Sequence, residues 1–325
     1  MRTLVTGGSG FVGRHLAAAL RQRGDEVTCL DTVPPASADG DGTGIRFVRC
    51  DAGSWAELLR AVHGASPELV FHTAGILSAA AEERPQAAYR ANAVSTFNLL
   101  EATSLLGVKR LVLTSTIATY GPGVARIVNE ATQQRPTTMY GVSKVFAELL
   151  GEYYQCRFGV DFRALRLPSV IGAGRGPGGA SAYTSLIVSE PAAGRSFEVP
   201  VSERATMPIA YIKDAVAALI RLSEAASESL RRRTYGMGGF SPTAGELAEA
   251  VRVALPGARI AFAPDPKVVA IVDSWPDRID GSEALRDWGF EERYDLTAAV
   301  EDFAREVSLA AGDRAPKAKP STRAG

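Results

Sequence analysis

The sequence predicts an α/β protein: a doubly wound, mostly parallel sheet followed by a smaller C-terminal α/β lobe. Three observations carry that prediction. Short β-branched runs alternate with longer runs of helical period through residue 167, the order expected of βαβ units with helices on both faces of one sheet. The first of these strands runs straight into a glycine-rich turn, Gly7-Gly8-Ser9-Gly10-Phe11-Val12-Gly13, and a helix follows at once. From Gly172 the alternation stops, at GAGRGPGG, a loop by composition, and helices and short strands then mix with proline turns.

The elements follow in order. TLVT at 3–6 is a strand, and 10–22 a helix with apolar residues at Phe11, Leu16, Ala19 and Leu20. EVTCLD at 26–31 and IRFVRC at 45–50 are the next strands, and 55–62 is helical. LVFH at 69–72 is a strand, 84–106 a long helical stretch, and RLVLTS at 110–115 a strand. Residues 140–158 form a helix and 160–167 a strand. This divides the chain into a nucleotide-binding unit at 1–171, a substrate lobe at 172–310 within which the chain can return to the sheet, and a Pro-, Lys- and Ala-rich tail at 311–325 expected to be disordered.

Composition removes several classes of function. Lys+Arg and Asp+Glu are both 36 in 325 residues, so the chain lacks the basic excess of a nucleic-acid binder. The run Arg231-Arg232-Arg233 reads as cations closing a helix. No apolar run approaches the ~20 residues of a membrane span, and MRTLVTGGSGFVGRHL lacks the features of a signal peptide. Three widely spaced cysteines (Cys29, Cys50, Cys156) argue against a disulfide scaffold, and three histidines (His15, His63, His72) form no HxxxH pair. A soluble cytoplasmic protein with no metal is expected.

The glycine turn carries the first piece of chemistry. Glycine lets the backbone turn sharply and approach a pyrophosphate closely, and the helix that follows offers unpaired N–H donors at its positive end. Asp31 ends the second strand, where a carboxylate accepts both ribose hydroxyls and repels an additional phosphate, so NAD is expected rather than NADP. Asp51, after the third strand, either meets the adenine or caps the helix that begins DAGSW.

The second piece is YGVSK. Tyr140 and Lys144 are i and i+4 on a helix and share one face. A phenol ordinarily near 10 must come down to near 7 to act as a base, roughly 4 kcal/mol of differential stabilisation. A neighbouring ammonium and an oxidised nicotinamide both favour phenolate, and the lysine has donors left to hold a ribose. Thr114, Ser115 and Thr116 close a buried strand at the end where ligands bind in such sheets. A hydroxyl there can orient a substrate alcohol for deprotonation.

Together TGGSGFVG, HTAG at 72–75, TSTIATYG at 114–121 and YGVSK resemble the extended short-chain dehydrogenase/reductase family of the NAD-dependent epimerase/dehydratase type, in order and spacing over roughly residues 1–310. The resemblance implies a Rossmann sheet, NAD, and Tyr140 as acid/base with Lys144 assisting. It makes Thr116, four residues before Tyr120, the substrate-orienting hydroxyl. It implies cofactor contacts from Gly7, Gly10, Phe11, Val12, Gly13, Asp31, Asp51, Ala52, Thr73, Ala74, Gly75, Asn92, Thr114, Tyr140, Lys144, Leu167, Pro168 and Val170. It also implies a homodimer through the helices at 84–106 and 140–158.

A finer resemblance, through ILSA at 76–79, TMYGVSKVFAELLGEYY and DSWPDRIDGSEALRDWGF at 273–290, is to the short-chain-type L-threonine 3-dehydrogenases. Residues 180–201 are similar to a related group that oxidises sugar acids such as erythronate. Two departures stand out. Gly179-Ala180-Ser181-Ala182-Tyr183-Thr184 replaces a GTTDYA-like segment, and Ser169 stands where those dehydrogenases tend to have glycine.

Expected substrate contacts are Ser78, Ser115, Thr116, Tyr140, Ser181, Tyr183, Arg204 and Trp275. Arg204 either pairs with a substrate carboxylate or diphosphate or lies on the surface. Tyr183 hydrogen-bonds substrate or lines a wall, and Trp275 packs between lobes or touches substrate. The expected activity is NAD-dependent oxidation of a small β-hydroxy amino acid or hydroxy acid. The alternative is a nucleotide-sugar 4-epimerase with tightly bound NAD.

Overall fold

The structure, a computed structural model, describes residues 1–35 and 44–312. Seven strands form one parallel sheet. Reading across it, the order is Thr234–Gly236, Asp161–Leu167, Arg110–Thr116, Leu69–His72, Arg2–Thr6, Glu26–Asp31 and Arg46–Arg49. The order reverses direction next to the first strand, so the crevice at the carboxyl ends of the strands opens there. The strands beside it are continuous apolar runs because both faces are covered. All four residues of LVFH are buried.

One layer of core lies under helices Phe11–Gln22 and Ile212–Glu224, with Leu16, Leu20, Ile212 and Leu219 fully enclosed. The other lies under Trp55–Ala65, Ser95–Leu105 and Met139–Phe158, around Leu58, Val62, Leu99, Leu100 and Tyr154. Each fully buried Leu contributes about 1.5–3 kcal/mol.

The chain beyond Gly172 does return to the sheet, at Thr234–Gly236, whose Tyr235 pairs in parallel with Leu165. It also makes small two-stranded pairings: Ile209–Tyr211 on Ser169–Ile171, Ile260–Phe262 on Phe197–Val199, and Arg278–Ile279 on Ile127–Val128. GAGRGPGG carries no strand or helix. The long helical stretch is interrupted by a π-helical turn at Tyr89–Val94, and a short helix, Ser78–Glu83, precedes it. The last helix, Leu296–Gly312, takes in the first two residues assigned to the tail. The rest of that expectation, 313–325, lies outside the described residues.

Two glycines set the depth of the helix that carries YGVSK. A Cβ on Gly141 would stand 2.1 Å from the Ala118 carbonyl oxygen, and one on Gly151 would stand 2.2 Å from the Phe162 ring. Their absence lets Met139–Phe158 sit directly on the neighbouring turn and strand. Thr138 caps the helix, accepting from the Gly141 N–H at 3.1 Å, and Gly159 at φ +72° ends it.

Candidate active site

A cavity of ≈ 370 Å³ opens at the carboxyl ends of the central strands. Its floor is the glycine turn. Gly7 has φ +70°, a left-handed conformation that favours glycine, and a Cβ on it would meet Ala74 backbone at 2.7 Å. A Cβ on Gly13 would stand 2.1 Å from the Gly7 carbonyl oxygen. Gly10 precedes the helix without a side-chain cap, so the first N–H groups of Phe11–Gln22 are open toward the cavity that Gly10, Phe11, Val12 and Gly13 line. This cradle fits a pyrophosphate. Asp31 is held beside it, its carboxylate accepting from Ser9 N at 3.1 Å and Thr32 N at 2.8 Å. Gly13→Ala is expected to weaken NAD binding roughly 10-fold or more in a fluorescence titration, because the methyl meets backbone rather than a movable side chain.

The far wall carries the proton chemistry. Thr116 ends the strand Arg110–Thr116, and its Oγ1 accepts from the Ala118 N–H at 3.2 Å. Burial raises the Tyr140 phenol and outweighs a hydrogen bond with Thr116 and the positive charge of Arg175, which both lower it, so that it stands at about 12. Lys144 is 4% exposed. Its Nζ donates to the Thr114 carbonyl at 2.8 Å and lies 5.9 Å from the centroid of the Tyr140 ring. Burial lowers its pKa to about 8, and Glu148 opposes that. Thr116 and Arg175 therefore join Lys144, the group to which the sequence pointed and whose ammonium stands beside the ring, as neighbours of Tyr140.

Behind these residues, Asn92 sits in the π-helical turn, a distortion that often marks functional positions. Its Oδ1 accepts from Ile76 N at 2.8 Å, and its Nδ2 donates to Ile76 O and Ser143 Oγ, each at 3.0 Å. It ties the strand-end loop to the YGVSK helix without lining the cavity. His72 is fully buried between Thr6 Oγ1 at 2.7 Å and Thr96 Oγ1 at 3.0 Å. Burial and the Lys144 charge hold its pKa down at about 3, so it is a neutral structural bridge.

The remaining expected site residues divide. Thr73, Gly75, Thr114, Leu167, Pro168, Val170, Ser78, Ser181 and Trp275 line the cavity together with Thr116, Tyr140 and Lys144. Ser115 lines it too, but its hydroxyl donates to Glu148 and is committed there. Ala74 packs against Gly7. Asp51 is paired with Arg90 at 2.8 Å, and the following helix is preceded by Ser54, so the capping alternative for Asp51 fails. The Ala52 carbonyl accepts from Asn98 at 3.1 Å.

Two substrate expectations are corrected. Arg204 is exposed on a loop and does not line the cavity. Tyr183 opens a helix with its ring in the hydrophobic core, 3% exposed, because the apolar face of Tyr183–Ala192 packs inward.

The guanidinium in the cavity belongs to Arg175, from the loop read as mere GAGRGPGG. Its Nη1 donates to Ser169 Oγ at 3.1 Å and to the Val170 carbonyl, and its Nη2 donates to Ser181 Oγ at 2.7 Å. Burial lowers its pKa to about 10. The available signal was an arginine eight residues beyond the last buried residue of a strand whose end faces the crevice.

Arg231, Arg232 and Arg233 form ion pairs with Asp287, Glu283 and Asp161. Among the described residues no group of three or more His, Cys, Asp or Glu is placed to hold a metal, and no helix is long and apolar enough to cross a membrane.

Comparison with known proteins agrees with this geometry. The pattern of the NAD dependent epimerase/dehydratase family matches residues 3–238. The mitochondrial L-threonine 3-dehydrogenase of Bos taurus is 37% identical over 92% of this chain and 80% of its own length. The GalE-like L-threonine dehydrogenase from Cupriavidus necator, in its holo form, superimposes with a TM-score of 0.88 at 33% identity, covering 94% of this chain and 99% of that one. UDP-glucose 4-epimerase from Thermotoga maritima, with UDP-glucose, shares the fold at TM-score 0.84 and 21% identity, covering 95% of this chain and 99% of that one. A cradle that fits a dinucleotide pyrophosphate, and a family pattern matched over most of the sheet, make this chain a member of the NAD dependent epimerase/dehydratase family, with NAD as its cofactor.

Proposed function

We propose that this protein is an NAD-dependent dehydrogenase that oxidises the secondary alcohol of a small β-hydroxy amino acid or hydroxy acid, as the threonine 3-dehydrogenases it resembles do. The observation that carries the reading is the convergence of Thr116, Tyr140 and Lys144 on one cavity floored by the glycine cradle. NAD held in that cradle supplies the acceptor for the hydride that leaves the carbinol carbon. Thr116 Oγ1 positions the substrate hydroxyl, and Tyr140 Oη, as phenolate, takes its proton. Lys144, anchored on the Thr114 carbonyl, keeps a positive charge beside the phenolate. The products are a ketone, the reduced cofactor and a proton on Tyr140. We assign residues 1–171 to cofactor binding and 172–310 to substrate.

The test is NADH formation from NAD across L-threonine, L-serine, 3-hydroxybutyrate, D- and L-erythronate, and UDP-glucose. Sustained NADH from threonine or a hydroxy acid is the expected result. Epimerisation of UDP-glucose without net NADH defeats the reading.

We further infer a cytoplasmic homodimer. Cys29, Cys50 and Cys156 are free thiols, which suits a reducing compartment. Val142, Phe146, Leu149 and Tyr153 make an exposed apolar stripe at helical spacing on Met139–Phe158, and Phe97 of the neighbouring helix is exposed beside it. Light scattering should give twice the chain mass, and Leu149→Glu should give the monomer.

A further inference from the structure

We propose that Arg175 is the specificity-determining residue of this site: it takes the carboxylate of the substrate, and the substrate is a hydroxy acid without a neighbouring ammonium. The inference rests on the dehydrogenase reading above. Arg175 projects from the loop after the sixth sheet strand into the cavity that holds Tyr140. Its partners are all neutral: Ser169, the Val170 carbonyl and Ser181. No carboxylate among the described residues pairs with it. Ser169 is itself fixed by Thr184 at 2.9 Å, so the guanidinium is held in one orientation. Its Nε and the second hydrogen on Nη2 make no hydrogen bond to a described residue. A half-buried cation with donors free and no carboxylate partner is an incomplete pair, and a planar carboxylate completes it with two parallel hydrogen bonds.

The charge of the whole cavity sharpens the class. Among the described residues lining it, two are cationic, Lys144 and Arg175, and none is Asp or Glu. With Lys144 set against the Tyr140 phenolate, Arg175 is the cation left over, and a monoanion entering this space matches it. A zwitterion brings an ammonium that must be desolvated with no Asp or Glu among the described lining residues to receive it. Two atoms, Cβ and Cα, separate a β-hydroxyl oxygen from the carboxyl carbon, so one end of such an acid reaches Tyr140 while the other reaches Arg175, whose charge acts on that phenol.

The test compares acid and ester. With the full-length protein and saturating NAD, kcat/KM for 3-hydroxybutyrate or erythronate should exceed that for L-threonine by roughly 10-fold or more. In Arg175→Met the preference for 3-hydroxybutyrate over its methyl ester should collapse by about 100-fold, carried mainly by KM, and Arg175→Lys should recover part of it. NAD affinity, read by fluorescence titration, checks that the cofactor half is intact in both variants.

An arginine that only pins the loop would cost acid and ester alike, and an acid-to-ester ratio unchanged within about 3-fold overturns the assignment. A preference for L-threonine overturns the substrate class. If the wild type turns over none of these compounds, the dehydrogenase reading fails by itself. Butyrate binding to the NADH-loaded protein by calorimetry then decides Arg175: binding lost in Arg175→Met supports it, and no binding to the wild type overturns it.

Discussion

Tyr140→Phe should lower kcat for alcohol oxidation by roughly 10³-fold while leaving NAD affinity nearly unchanged, since general-base catalysis of this kind contributes about 10²–10⁴-fold. The substitution removes one oxygen and keeps the ring in place. Burial outweighs the neighbouring groups and leaves the phenol raised to about 12, so in the protein without cofactor it is protonated. The groups that oppose burial are Thr116, which in the proposed mechanism orients the alcohol, and Arg175, which in the proposal takes its carboxylate. Both also favour phenolate.

The sign of the pH dependence follows. Oxidation needs the phenolate, so its rate rises with pH until Tyr140 is deprotonated. Removing the Thr116 hydroxyl by Thr116→Val removes a stabiliser of phenolate and moves that rising limb to higher pH. The pH profile of kcat/KM, taken with saturating NAD, measures it. A Phe variant with unchanged turnover would remove Tyr140 from the mechanism.

The second large effect concerns stability. Glu148→Ala should destabilise the fold by about 3–5 kcal/mol in urea denaturation, the usual cost of leaving one half of a buried ion pair. Glu148 is enclosed, and Arg166 bonds it at 2.8 Å through Nη2 and at 3.1 and 3.2 Å through Nε. Gln134 donates to it at 2.9 Å and Ser115 also donates to it, while Arg166 reaches the Tyr120 hydroxyl at 3.0 Å. Burial alone would lower the pKa of Arg166, and its bonds to Glu148 outweigh this and raise it. The network lies directly behind the strand end that carries Thr116, so its loss loosens the catalytic wall as well. Replacing both partners with methionine should cost less than Glu148→Ala, because no orphan charge remains.

How much of this was legible in the sequence depended on whether local pattern or tertiary packing decided each feature. The strands Glu26–Asp31 and Leu69–His72 matched residue for residue because each is a short run centred on β-forming residues, Val27 to Leu30 and Leu69 to Phe71, that is buried in the sheet. The glycine turn and the Tyr140–Lys144 pair were legible because each is a local spacing with one geometric consequence. The pairings of Ile127–Val128 with Arg278–Ile279, and of Phe197–Val199 with Ile260–Phe262, join segments far apart in the chain and leave no periodic trace.

The same limit explains the errors at the site. Arg175 sits among glycines, and nothing local distinguishes a loop arginine that folds inward from one that faces water. Arg204 looked equivalent and is exposed. Tyr183 stood in a segment matched to substrate contacts, but its helix turns that face to the core. Ser115 lies beside Thr116, and alternation along the strand sends its hydroxyl to Glu148 instead.

The most direct test of the account follows the hydrogen on the carbinol carbon. A panel of 3-deuterated L-threonine and 3-deuterated 3-hydroxybutyrate, incubated with the protein and NAD, should yield deuterated NADH released in amounts equal to the ketone product, and Tyr140→Phe should slow its release by roughly 10³-fold. Release of no reduced cofactor, with a sugar nucleotide epimerised and its hydrogen returned to the same carbon, would contradict the account.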